Sequence, residues 1–241
     1  MGRSSQCQKS NHENRHIVQH AFKWQNGVLS DLGTLPGGSS SFALWINNGG
    51  QTVGVSQNGL IDPLTGAPAS IAVLWKSNGE IINLGTLGGN ESLAVALNDR
   101  SQAVGAAANP IPDSFSLSPV IGGPAFGTQT RAFLWENGVM TDLGNLGKTS
   151  NAHIINSKGQ VVGASKVSSQ TGEIRAFLWE NGGPMVDLNN LVPANSAFDL
   201  VSADHISDRG EIVGEGVPRG VPFGDIETRG HVFLVIPVGE K

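Results

Sequence analysis

One short phrase returns five times along this chain: His20-Ala21-Phe22-Lys23-Trp24, Ile71-Ala72-Val73-Leu74-Trp75, Arg131-Ala132-Phe133-Leu134-Trp135, Arg175-Ala176-Phe177-Leu178-Trp179 and His231-Val232-Phe233-Leu234-Val235. Self-similarity at a period of roughly 40 to 60 residues restricts the fold to a solenoid, a propeller or another stacked array, because a single unit cannot bury its own apolar face.

Each complete unit has four strand-length segments. In one of them these are 92–98 and 102–106, then the phrase at 131–135, then 139–144. None continues for the length a helix needs, and each is bounded by Gly, Asn, Asp or Ser. After the first strand come turn sequences such as Asn47-Asn48-Gly49-Gly50 and Asn156-Ser157-Lys158-Gly159; after the third come Asn26-Gly27, Asn137-Gly138 and Asn181-Gly182. Asn-Gly accepts the positive φ of tight hairpins, so a four-stranded antiparallel meander is predicted.

The phrase is apolar on both parities, Ala132 and Leu134 on one face and Phe133 and Trp135 on the other, as in a strand buried between two sheets. The predicted fold is therefore an all-β propeller of four or five four-stranded blades. Trp24, Trp75, Trp135 and Trp179 share one repeat position and are expected between blades. Complete sets fall at about 39–87, 91–146 and 150–191. The chain enters mid-repeat at about 20–35, and the last set, about 198–236, has three strands. Either Asp31-Leu32-Gly33 supplies the fourth strand missing after Leu234, or the propeller is incomplete or a fragment. Residues 19–238 read as one repeat-built domain behind a polar, flexible tail at 1–18.

Composition narrows the class. With 39% hydrophobic and 15% charged residues the chain is too apolar for disorder, and 33 glycines and 12 prolines supply the turns of an all-β protein. A formal charge of −5 without a basic cluster argues against nucleic acid as a partner. Cys7 is the sole cysteine, so no intramolecular disulfide forms. Residues 1–30 contain no signal-peptide core, and no segment is long and apolar enough to span a membrane. No feature specifies an oligomeric state.

Length variation between copies concentrates between the second and third strands, at 57–70, 107–130, 167–173 and 215–229. In an up-and-down blade that connection emerges on the rim that also carries the link to the next blade, so the insertions should crown one face, where binding is expected. The candidate ligand-binding residues there are Asp62, Asp113, Phe115, Phe126, Phe223 and Asp225, with Glu227 nearby.

Catalytic, cofactor and metal motifs are not evident. The six histidines have no His-x-x-x-His spacing, there is no Gly-x-Ser-x-Gly elbow, and the glycine-rich links lead into strands, not phosphate-binding helices. The fourth-strand residues Asp31, Asn83, Asp142 and Asp187 fit a hydrogen-bonding role at strand ends, since one of the four is uncharged. Two readings stand. One is a non-catalytic binding module for a protein or glycan; the other is a propeller enzyme, a hydrolase or lyase acting on glycans, with carboxylates at the channel mouth. Binding is preferred, because no acid recurs at an axis-facing position.

Asp31 to Leu35 with Gly37 and Gly38, Leu84 to Gly89, Ile155-Asn156 with Gly159 to Gly163, and the tryptophan phrase recur in one order over roughly 20–236. In these features the chain resembles the HAF-repeat family of extracellular repeat proteins. The resemblance implies a β-propeller-like body, exported or surface-associated, with no enzymatic activity to transfer. Lys148-Thr149 replaces the paired glycines of the third link, Asn189-Asn190-Leu191-Val192-Pro193 rewrites the fourth, and Val235 stands at the last tryptophan position.

Overall fold

The computed structural model describes residues 18–113, 127–221 and 230–237. The described chain is all-β, with repeating propeller-like antiparallel sheets and a single 3-10 turn at Leu188–Asn190. A hairpin of β1 (Phe22–Gln25) and β2 (Val28–Asp31) comes first. Three four-stranded meanders follow: β3 (Ser41–Ile46), β4 (Thr52–Ile61), β5 (Pro68–Trp75) and β6 (Ile81–Gly85); β7 (Ser92–Leu97), β8 (Ala103–Pro112), β9 (Thr128–Glu136) and β10 (Val139–Asp142); and β11 (Thr149–Ile155), β12 (Val161–Lys166), β13 (Ile174–Trp179) and β14 (Val186–Asp187). A three-stranded sheet of β15 (Phe198–Ile206), β16 (Ile212–Pro218) and β17 (His231–Val235) ends the array.

Local chemistry explains the meander. Asn26 and Gly27 have φ of 52° and 81°, and Asn137 and Gly138 51° and 85°, the left-handed pairs that close two-residue hairpins; Asn181 and Gly182, at 56° and 69°, form a similar turn within the longer connection from Leu178 to Val186. The glycine of each Val-Gly pair has a different purpose. The first strand of each sheet after the β1–β2 hairpin bulges opposite it, between Ala43 and Trp45, Ala94 and Ala96, Ala152 and Ile154, and Ala203 and His205. A Cβ on Gly54, Gly105 or Gly214 would lie 1.9 Å from the carbonyl oxygen of Phe42, Leu93 or Ser202, and one on Gly163 2.1 Å from that of Asn151. Only glycine lets the bulged backbone approach so closely.

The sheets are fastened to one another by recurring hydrogen bonds. Ser41 Oγ accepts from Ala21 N–H at 3.0 Å and donates to Gly33 O; Ser92 joins Ala72 to Gly85, and Ser150 joins Ala132 to Gly144, in the same way. In the rewritten fourth link Asn189 takes over, accepting from Leu200 N–H at 2.7 Å and donating to Leu200 O. Asp31, Asn83, Asp142 and Asp187 each accept, through Oδ1, the N–H two residues on, a strand-end role that needs no charge.

Apolar packing runs between sheets. Phe133 and Trp135 cluster with Val53, Ala72 and Leu74 of the preceding sheet, and Phe177 and Trp179 with Val104 and Ala132. Trp75, Trp135 and Trp179 are buried accordingly. Trp24 departs from the expectation: it is 66% exposed, because among the described residues no sheet stacks on that side of β1–β2. Closure by Asp31-Leu32-Gly33 is not found either, since among the described residues β2 pairs only with β1 and β17 only with β16. A further difference concerns the insertions. The ladders run on past the rim, pairing Ile61 with Pro68 and Pro112 with Thr128, so 57–61, 68–70, 107–112 and 128–130 are strand, not loop.

Candidate binding cleft on the loop rim

The links between sheets and the connections between second and third strands meet on one rim. Gly38 lies against the backbone of Gln57, Gly89 against Ala108 and Gly147 against Val167. At the rim between the first two full sheets this arrangement leaves a cleft of about 450 Å³. One wall comes from the end of β4 and its turn, with Asn58, Leu60, Ile61 and Pro63; the other comes from the link, with Asn83, Thr86 and Asn90.

Asp62 organises this wall from beneath. It is 1% exposed; Oδ1 accepts from Leu64 N–H at 3.0 Å and from Asn90 Nδ2 at 2.9 Å, and Oδ2 from Thr65 Oγ1 at 2.8 Å. Its backbone N–H donates to Ala67 O and its carbonyl accepts from Gly66 N–H. Burial would raise its pKa, but these hydrogen bonds outweigh burial and hold the carboxyl below its ordinary value.

Beside it stands Glu91, which sequence reasoning missed. Glu91 is 7% exposed and has no hydrogen-bond donor on its carboxylate among the described residues. Burial, reinforced by the nearby Asp62 charge, pushes its pKa up to about 7. A signal existed in the repeat register. Counting back from Ser41, Ser92 and Ser150, the preceding positions are Ser40, Glu91 and Thr149, so the acid replaces a small hydroxyl residue.

The cleft residues have hydrogen-bonding capacity to spare. Asn58 Oδ1 accepts from Leu60 N–H and Asn83 Oδ1 from Gly85 N–H, which fixes each side chain, while neither amide nitrogen has a partner among the described residues. Asn90 spends its nitrogen on Asp62 and keeps its oxygen. Three amides are thus held at one end and available at the other, next to the apolar surface of Leu60 and Ile61, which are 65% and 61% exposed.

The opposite rim differs. An open depression of about 380 Å³ is lined there by the ends of the four first strands, including Trp45, Ile46, Ile155 and His205. Its asparagines are already committed. Asn47 Nδ2 donates to Asn98 O, Asn98 Nδ2 to Asn156 O and Asn156 Nδ2 to Ser207 O, at 3.0 to 3.1 Å, in a ladder that crosses from sheet to sheet. The acids at these turns are tied as well: Asp99 accepts from the Asn48 backbone and side chain, and Asp208 from Ser157 N–H, which lowers the Asp208 pKa. Further in, at the bulges, Asp204 lies 3.3 Å from His153 Nδ1 and accepts from Ser202 Oγ.

Of the residues singled out from sequence, Asp62 is at the cleft but turned inward. Asp113 follows β8, its N–H donating to Gly127 O at 3.1 Å. Gly127 in turn adjoins Leu64, so these two connections meet. Phe115, Phe126, Phe223, Asp225 and Glu227 lie outside the described residues. Among the described residues no three His, Cys, Asp or Glu side chains gather as a metal-holding group, and no helix is long and apolar enough to cross a membrane.

No protein-family description matches this chain, and no curated protein does. Among solved structures, it is similar to Pyrococcus horikoshii acylaminoacyl peptidase (orthorhombic crystal form), with 13% sequence identity and a TM-score of 0.44. The similarity covers 86% of this chain and 32% of the peptidase chain.

Proposed function

We propose that this chain is a β-propeller of four or five blades acting as a non-catalytic binding module, which recognises a protein or glycan on its loop-bearing rim. The observation that carries the reading is the set of half-committed amides, Asn58, Asn83 and Asn90, beside exposed Leu60 and Ile61. Uncharged donors and acceptors next to apolar surface suit the hydroxyl and C–H faces of a sugar or the backbone and side chains of a peptide. Asp62 serves by holding the turn. Asp113, Phe115, Phe126, Phe223 and Asp225 are assigned to the same surface by their positions in the insertions. That the module works outside the cell rests on the HAF-repeat resemblance.

The alternative, a propeller enzyme acting on glycans, draws on one feature: Asp62 and Glu91 are neighbouring carboxyls pushed in opposite directions. Asp62 has donors on both oxygens, however, which favours binding without turnover. A glycan and protein array probed with the wild-type chain and with Asn58→Ala/Asn83→Ala tests both readings. Binding of an intact ligand, lost in the double variant, supports the module; cleavage of an arrayed glycan supports the enzyme; binding retained in the double variant places recognition elsewhere.

A further inference from the structure

The cleft lies where neighbouring units keep a cation. The ladders set the equivalence: Ser56 pairs with Ile71 as Ala107 pairs with Arg131 and Ser165 with Arg175, and in the fourth strand Asn83 pairs with Val73 as Asp142 pairs with Phe133. Ala69, Gln129 and Glu173 then share the position two residues earlier. In the second full sheet Arg131 Nη2 donates to Gln129 Oε1 at 3.3 Å, and its Nε lies 4.0 Å from Asp142 Oδ2. In the third, Arg175 donates to Glu173 from both Nε and Nη2. In the β1–β2 hairpin His20 Nδ1 is 2.7 Å from Asp31 Oδ2. Of these units, only the first full sheet has neither partner, with Ile71 in place of the base and Asn83 in place of the acid. Ala69, Ile71 and Asn83 all line the cleft, so in the register of the repeat it occupies the place of two longer side chains, one of them a guanidinium.

The same unit has gained an acid. Glu91 stands where other links have Ser40 and Thr149, is 7% exposed, and has no donor on its carboxylate among the described residues. Asp62, whose charge acts on Glu91, lines the cleft, and no Lys, Arg or His does. A carboxylate held out of water without a donor is costly, and a cation from outside would relieve it. Two details favour an arginine within a polypeptide over a bare cation. The Nδ2 groups of Asn58 and Asn83, without partners among the described residues, need acceptors, which a guanidinium lacks and the carbonyls of its own main chain supply. Exposed Leu60 and Ile61 offer apolar surface to the methylene stem.

We propose that this cleft binds the side chain of an arginine in a partner polypeptide. The guanidinium enters beside Ala69 and Ile71, donates to the free Oδ1 of Asn90, and has Glu91 and Asp62 as its counter-charges. Asn58 and Asn83 hold the flanking carbonyls. The assignment rests on the loop rim being a binding surface, and it narrows the ligand there from a protein or glycan to an arginine-bearing polypeptide.

The test uses the full chain at pH 8 and three probes: acetyl-Ala-Arg-Ala-amide, the same peptide with citrulline for arginine, and agmatine. The arginine peptide should shift the side-chain amide NMR signals of Asn58, Asn83 and Asn90 saturably, and the citrulline peptide should bind at least about tenfold more weakly. Glu91→Gln keeps the shape, removes the charge and should weaken the arginine peptide by about tenfold. Ile71→Arg/Asn83→Asp rebuilds the pair of the next unit and should abolish binding, with the backbone amide spectrum verifying the fold; if that variant does not fold, Glu91→Gln decides. Equal affinity for the citrulline peptide overturns the proposal, as do equal affinity for agmatine, unchanged affinity in Glu91→Gln, and no shift at millimolar arginine peptide. Where any of these occurs while Asn58→Ala/Asn83→Ala still loses an arrayed ligand, the rim remains a binding surface and only its ligand was misassigned.

Discussion

Asn90 Nδ2 lies 2.9 Å from Asp62 Oδ1 and donates to it, fastening the turn of one sheet to the link that starts the next. Asp62 is buried and also accepts from Leu64 N–H and Thr65 Oγ1, so removing its carboxylate strands three donors. Asp62→Ala should lower stability by about 2–4 kcal/mol in urea unfolding. Asp62→Asn keeps one acceptor oxygen and should cost less. A loss under about 0.5 kcal/mol for Asp62→Ala would show that the turn stands without this bond network.

Glu91 makes stability depend on pH in the direction opposite to most carboxylates. The folded protein holds its proton up to about pH 7, whereas the unfolded chain releases it near the ordinary glutamate value of 4.5. Folding therefore takes up a proton between these values. The contribution is fully present below about pH 4.5 and is lost as pH rises through 7, by an amount of the order of 3 kcal/mol. Glu91→Gln should flatten that slope and raise stability at pH 8. Unfolding midpoints that climb from pH 5 to pH 8 in the wild type and not in the variant would reverse the assignment.

The tryptophans offer a matched comparison. Trp135 is 6% exposed and Trp24 66% exposed at the same repeat position. Trp135→Ala should cost about 3–5 kcal/mol, the usual result of emptying an aromatic core site. Trp24→Ala should stay within about 0.5 kcal/mol. Equal losses at both positions would mean that the end of the array is covered in solution.

Gly105→Ala should be among the most damaging small changes, about 3 kcal/mol or more, because the new methyl would meet Leu93 O at 1.9 Å in the bulge. Gly66→Ala, with open space around its Cβ but a φ of 71°, should cost only about 1 kcal/mol. Thermal denaturation of the two variants side by side measures the difference.

Strand order, hairpin positions and the strand-end role of Asp31, Asn83, Asp142 and Asp187 were legible in the sequence because each depends on a few adjacent residues. Asn-Gly marks the reversals at Asn26-Gly27 and Asn137-Gly138, though Asn58-Gly59 stands within β4, and an Asx side chain reaches an N–H two residues away without help from the rest of the fold. Burial depends on neighbours that the sequence does not place. Trp24 and Trp135 share a motif, yet only the second has a sheet stacked against it. The insertions at 57–70 and 107–130 look like loops by composition, but their backbones go on pairing to Ile61 and Pro112 because the partner strand runs alongside. The cleft is likewise a tertiary product: Asn58 and Asn90 belong to different sheets, and Glu91 acquires its high pKa only where the fold removes water and brings Asp62 close. The chain by itself determined the repeating unit, through local turn geometry and alternation; stacking decided which copies are core, which edge is open and where unspent hydrogen-bonding groups converge.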